Sequence, residues 1–485
     1  MLYWNTRKSL FRMRRGRVAP PCQSPSDSGR AYETRCDACL QWAKQERFRR
    51  VCPLLVETSE GLRCSVDSPA VRPFWGIAFR WYGGSALAIY AVAVLTVFGF
   101  LRTIGYPVSI LQVGLPPLWH EIGAARGWFF LKRSQEAFAA GRTNEGLLFL
   151  SNSYDFDPGN YSAGLALAKA FQLSQVARSD EIFAKLYADH EAERPGTAQQ
   201  WFRALLARGD FDRVVSLATD EIERDPGQAN AWMRAAIFAS RQARTETALR
   251  ALLAKPTQAL RIWRPVLETE LLFHANRIEE VRAAVARPWP ASLPPYSFLY
   301  QAEMLVLLGN PDDALDLLVQ HRIRLDDEAY FTLRLRCLAA AGATRSLRSE
   351  FKAILLDPPL NQARLKMMCA QLIRYPDPEL FAQLQRKLED TPMPLTDETA
   401  GGWFSLLCTA GALGDLDRLN TLMLRLRNAA QTPFTALQMV EAFFRGQMSD
   451  PRATTFLPFL PVPLEVGYAL IERYPGKPRP AATPP

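Results

Sequence analysis

The chain has 485 residues, 48% of them hydrophobic, with a formal net charge of +9. That length exceeds what one hydrophobic core can organise, which excludes a single globule and favours a quasi-linear array. Residues 1–80 carry 15 Lys+Arg against 7 Asp+Glu and the remainder 43 against 42, so the body is electrically neutral and unsuited to sheathing a nucleic acid.

Residues 1–20 form a basic tail that is rich in Arg and poor in acid, with a cluster from Arg7 to Arg17. No apolar run follows, so this is not a secretory signal peptide; a mitochondrial presequence has the same composition, and a cytoplasmic tail beside anionic lipid explains it more simply. Residues 21–70 hold five of the eight cysteines: Cys22, Cys36, Cys39, Cys52 and Cys64. Cys36-x2-Cys39 places two thiolates within reach of one zinc ion, and Cys52 with Cys64 completes a tetrahedron of four. The segment resembles a degenerate B-box-type zinc finger in which only the second ligand pair, Cys36 and Cys39, is intact. That resemblance implies one surviving site of Cys36, Cys39, Cys64 and Asp67. A decayed finger without metal is the alternative. One structural zinc is the only cofactor expected.

Trp81 to Leu101 is a run of 21 residues without an ionisable Asp, Glu, Lys, Arg or His. It is apolar on every face, and a helix of that length matches the ~30 Å hydrocarbon thickness of a bilayer. Arg80 and Arg102 bracket the run, and Trp81 with Tyr82 suits the interfacial belt. A single transmembrane helix is expected over 81–101. The excess of arginine before it, including Arg63, Arg72 and Arg80, places the N-terminus in the cytoplasm and the remainder of the chain outside it. Thr103 to Trp119 is also uncharged, but Pro107, Pro116 and Pro117 interrupt it. Residues 103–122 therefore read as an interfacial linker; a second crossing here would return the remainder to the cytoplasm.

From residue 123 to 474 the sequence keeps a beat. Asp157-Pro158-Gly159 and Asp225-Pro226-Gly227 stand 68 residues apart, twice 34. Gly141, Gly209, Asn276, Gly309, Gly342 and Gly414 each close one apolar stretch before another opens, with Ala243 and Tyr375-Pro376-Asp377-Pro378 in the same phase. Glycine leaves a helix readily, proline cannot continue one, and a period near 34 marks stacked helical pairs. Gly141, Gly209 and Gly342 are followed seventeen positions later by Pro158, Pro226 and Pro359. With Ala314 after Gly309, Ala248 after Ala243, and Trp232 followed by Ala236, the region resembles the tetratricopeptide repeat (TPR) family. Val214 and Val281 depart from its small-residue position, and the repeat near 175 has no turn glycine. The resemblance implies an all-α solenoid whose first helices line a groove, with Gln199, Arg203 and Asn230 at partner-facing positions and a protein or peptide segment as partner. Stretches such as Ala204–Ala207 and Leu305–Leu308 need a neighbouring hairpin to cover them.

No constellation for catalysis emerges. His120, His190, His274 and His321 form no metal-pair spacing and read as helix-surface or helix-end residues, and phosphate-loop and nucleophile-elbow motifs are missing. Asp312-Asp313, Asp326-Asp327 and Glu279-Glu280 read as helix starts, where carboxylates favour the dipole. Cys337, Cys369 and Cys408 read as inert core thiols. Phe456 to Val466 caps the last repeat or docks a partner, and residues 475–485 form a disordered, proline-rich tail. The expectation is an all-α, TPR-like helical-hairpin solenoid behind a single transmembrane helix, with a small N-terminal zinc-finger-like module. It would act as a non-enzymatic scaffold at the membrane. The alternative is a tethered regulator whose basic N-terminal module touches nucleic acid.

Overall fold

The computed structural model describes residues 55–59, 61–64, 74–243, 246–254, 257–356, 360–390, 393–396, 398–430 and 435–475. The basic tail, Cys22, Cys36, Cys39, Cys52, Asp67, Pro359 and the tail from 476 onward lie outside these residues. The chain divides into two compact units between Ala163 and Gly164. The helical array expected over 123–474 is therefore split, with its first hairpin belonging to the front unit.

In the front unit, strands β1 (Leu55–Thr58) and β2 (Gly61–Cys64) form an antiparallel hairpin with Leu55 opposite Cys64 and Thr58 opposite Gly61. This hairpin, inside the expected finger-like module, is the departure from an all-helical chain. Helix α1 runs from Phe74 to Ile104, longer at both ends than the uncharged stretch 81–101. The reason is physical: a charged residue ends an apolar run but does not interrupt the backbone ladder. Within α1, Tyr82–Ile104 has a mean hydropathy of 2.1 and no residue of it is fully buried. Leu87, Ile89 and Val92 are 69%, 71% and 64% exposed.

Gly105, with φ of 103°, turns the chain back on α1. A capping box on Ser109 starts the five-residue helix α2 (Ile110–Gly114). Val108, Val113 and Ala125 pack with Val94, Phe98, Leu101 and Tyr106, and the Tyr90 hydroxyl donates to the Gly114 carbonyl at 2.5 Å. Five helical residues cannot cross a bilayer, so the segment 103–119 lies against α1 rather than forming a second helical span. Helices α3 (His120–Ala139) and α4 (Thr143–Phe156) complete the unit as a close hairpin. The Ser153 hydroxyl donates to the Gly127 carbonyl at 2.7 Å, and that of Ser134 to the Gly146 carbonyl at 2.9 Å.

The second unit begins within α5 (Tyr161–Phe171) and runs in helical pairs: α5 with α6 (Val176–Asp189), α7 (Arg194–Arg208) with α8 (Phe211–Arg224), and α9 (Ala229–Ala243) with α10 (Thr247–Ala254). After the short α11 (Gln258–Arg261) come α12 (Arg264–His274) with α13 (Ile278–Ala286) and α14 (Pro295–Leu307) with α15 (Pro311–Gln320). Then follow α16 (Asp327–Ala340) with α17 (Thr344–Leu356), α18 (Gln362–Arg374) with α19 (Pro378–Asp390), and α20 (Ala400–Ala412) with α21 (Leu416–Ala430). Helices α22 (Thr435–Phe444) and α23 (Leu464–Arg473) end the described chain.

The turns explain the beat in the sequence. Gly141, Gly209, Asn276, Gly309, Gly342 and Gly414 all adopt positive φ, between 57° and 83°. In each, the next residue's N–H reaches the carbonyl five back, as in Asp210 to Leu205 at 2.9 Å and Asn310 to Leu305 at 2.9 Å. This is the Schellman closure of a helix, which an L side chain resists and glycine or asparagine accepts. Gly446 makes the same turn after α22. The period persists in the packing: Tyr187 donates to Glu221 at 2.5 Å and Arg336 to Glu303 at 3.0 Å, partners 34 and 33 residues apart. Of the largest buried side chains, Trp263, Tyr300, Phe351, Phe381 and Phe456 lie along one continuous core.

Candidate functional site: an arginine-lined chamber

The inner face of the second unit is lined by the first helices of successive pairs, and the chain's own C-terminal segment lies on it. Phe456 packs on Phe443 and Phe444 of α22, with ring centroids 4.5 and 5.7 Å away. Phe456 thus covers the last helix of the array, as expected of a cap. From there the chain continues inward. Thr454 lies against Gly209 and Pro463 against Gly401, and α23 then packs chiefly along α18. Val466, Ala469, Leu470 and Ile471 are almost wholly buried. Tyr468 meets Phe238 edge to face at 4.3 Å.

The polar residues of α23 fix its seat. Glu465 accepts from Lys366 at 3.3 Å, Glu472 from Arg374 Nε at 2.5 Å, and Arg473 donates to the carbonyls of Ile373 and Ala412 at 2.5 and 2.8 Å. Glu465 and Glu472 are seven residues apart, two turns on one face, and meet cations eight apart on α18. Burial alone would raise the Glu472 carboxyl, but Arg374, Arg336 and Arg234 hold it down at about 2.

Beside Tyr468 and Glu472 opens a chamber of about 540 Å³. Its walls carry Arg234 and Arg241 from α9, Arg336 from α16 and Arg374 from α18. The carboxylates are Glu303 and Glu472, with Glu270 directly behind Arg241. Glu270 is fully buried, takes a two-pronged bond from Arg241 at 2.8 and 2.7 Å, and accepts the Tyr300 hydroxyl at 2.9 Å. His274 stands 3.5 Å from the same carboxylate. Arg336 bonds Glu303 through one terminal nitrogen, while its Nε is buried without a partner. Among the described residues no carboxylate lies within ion-pair distance of Arg234, whose guanidinium sits 5.9 Å over the Tyr468 ring. Four guanidiniums therefore face three carboxylates, a local excess of one positive charge before His274 is counted. Burial opposes charge on all four; in Arg374 it prevails and lowers the pKa, whereas Glu270 keeps that of Arg241 well above its usual value.

Of the residues expected to face a partner, Gln199 and Arg203 are exposed on α7. Arg203 lines a separate hollow with Lys169, Gln172 and the Leu457–Leu464 strap. Asn230 is taken: its side-chain oxygen accepts the Tyr296 N–H at 3.1 Å, tying α9 to α14. The structure does not bring these three into one site. Leu307, read as core, is 53% exposed and lies on the chamber wall. His274, read as an ordinary helix end, is also a wall residue. The paired-acid positions are helix starts, with Asp326 capping through the Ala329 N–H. Cys337, Cys369 and Cys408 are buried thiols; burial pushes the first two up to about 12 and raises the third as well. Of the four proposed metal ligands only Cys64 lies among the described residues, at the end of β2.

A second polar cluster is satisfied within itself. Asp180, 6% exposed, accepts from Arg208 at 2.7 Å, from Arg213 and from Trp201 at 3.1 Å. It ties α6 to the next pair. No protein-family model matches the chain, and no curated protein matches it.

Proposed function

We propose that this chain is a membrane-anchored helical-repeat scaffold of the TPR type that holds other proteins at the bilayer and carries out no reaction itself. The observation that carries the proposal is the largely exposed apolar length of α1. A helix exposing Leu87, Ile89, Val92 and Phe100 at 63–71% is costly in water at roughly 25 cal/mol per Å² and is at home in lipid. Leu111, Leu115 and Trp119, 62%, 47% and 54% exposed, give the folded-back segment an apolar collar suited to the interface. Following the positive-inside rule, the basic front faces the cytoplasm and the repeats lie on the other side.

Since α23 occupies the inner face, a partner protein meets the array at Gln199 and Arg203, both exposed on α7, or on its outer surface. Cys36, Cys39, Cys52 and Cys64 would hold one structural zinc in the front module. The test is chemical crosslinking in native membranes, with and without residues 120–475, followed by identification of the captured proteins. Capture that depends on the repeats supports the scaffold. A capture set unchanged by their deletion refutes it, as does release of the chain by alkaline carbonate.

A further inference from the structure

We propose that the arginine-lined chamber is a binding site for a small molecule bearing a phosphate or carboxylate group on an aromatic or apolar body. Size comes first. About 540 Å³ falls within the ~300–1,000 Å³ of pockets that take small ligands, and is far too narrow for a folded partner. Charge comes second. Even with Glu270 behind the wall counted, four guanidiniums face three carboxylates, and the surplus is localised: Arg234 has no carboxylate at ion-pair distance among the described residues, and Arg336 has a buried Nε with no acceptor. A buried cationic donor without an acceptor is costly, and an oxyanion supplies the missing charge and lone pairs together.

The third consideration is shape. Phe238, Phe273, Tyr296 and Tyr468 line the same space, offering ring faces for a flat ligand body while the guanidiniums take its anionic end. The carboxylates already present are engaged: Glu270 by Arg241 and Tyr300, Glu303 by Arg336, Glu472 by Arg374. Arg234 is thus the anchor, and Arg336 contributes its free Nε. Because Tyr468 and Glu472 belong to α23, a bound ligand also bridges the C-terminal helix to α9 and α16. This inference does not depend on membrane anchoring.

The test uses the full chain in detergent, titrated with phenyl phosphate, with benzoate and with inorganic phosphate while binding heat and backbone hydrogen exchange are followed. Phenyl phosphate or benzoate is expected to bind and to slow exchange in Leu464–Arg473. Preference between the two identifies the anionic group, and weaker binding of inorganic phosphate shows that the rings contribute. Arg234→Met is expected to weaken binding about ten- to a hundredfold, the worth of a lost charge-assisted contact. Arg234→Lys, which keeps the charge and the fold, is expected to retain part of it. Arg345→Gln, which removes an exposed cation elsewhere, is expected to change nothing. Absence of binding by both organic anions overturns the proposal. So does binding that Arg234→Met and Arg345→Gln weaken equally, or binding that leaves exchange in α23 unchanged.

Discussion

Replacing Glu472 by Gln tests how α23 is held. The carboxylate is only about a third exposed and is bonded to Arg374, itself 8% exposed. Its pKa falls from 4.5 to about 2 in the folded chain. A depressed carboxylate contributes stability that is fully present above its unfolded pKa and is lost as pH falls through the folded value. Its window is therefore from about 4.5 down to about 2. The shift corresponds to roughly 3 kcal/mol, which partial solvent screening reduces to about 2. Two kilocalories per mole is about thirtyfold in a local opening equilibrium. Amide exchange in Leu464–Arg473, corrected for intrinsic rate, is thus expected to be about thirtyfold faster in Glu472→Gln than in the native chain at pH 7. The difference should shrink as the pH approaches 2. Equal protection at pH 7, or a difference independent of pH, would refute the reasoning.

Gly342 has φ of 67° with open space around its missing side chain, so Gly342→Val is expected to cost about 2 kcal/mol through backbone strain alone. Limited proteolysis of the α16–α17 pair measures this; Asn276→Gly, which relieves the same conformation in the α12–α13 turn, is expected to be neutral or slightly stabilising when that pair is probed in the same way. Val92→Arg places a cation mid-helix and is expected to cost about 2.5–3.5 kcal/mol of membrane insertion, read as a shift of the chain into the carbonate-soluble fraction. Elemental analysis of the purified full chain is expected to find about one zinc per chain, lost in Cys36→Ser, as a four-ligand structural site requires.

The turns were legible in the sequence because a left-handed residue is a local demand. Gly141, Gly209, Gly309, Gly342 and Gly414 satisfy it, and Asn276 is the side chain that tolerates it best. The apolar length of α1 was legible for the same reason, although its helix runs from Phe74 to Ile104. The seat of α23 was not legible, because its contacts reach back across about a hundred residues, as from Glu465 to Lys366 and from Glu472 to Arg374. A faint trace existed: two acids seven apart on one short helix match two cations eight apart on α18. The chamber was hidden by bookkeeping over long segments. A neutral total for the repeats conceals that Arg234, Arg241, Arg336 and Arg374 converge on one space. Asn230 shows the converse, a polar residue in a groove-facing position whose hydrogen bond goes to the backbone of α14.

Occupation of the inner face by the chain's own terminus can be read without any substitution. Lys366 Nζ lies 3.3 Å from a Glu465 oxygen and 3.2 Å from one of Glu328, close enough for a zero-length carbodiimide to join them as amides. Mass spectrometry of the monomeric chain is expected to recover Lys366 linked to Glu465, with Glu328 as the competing product. Recovery of the Glu328 product alone, or of Glu465 linked only between chains, would place α23 elsewhere and leave the inner face vacant.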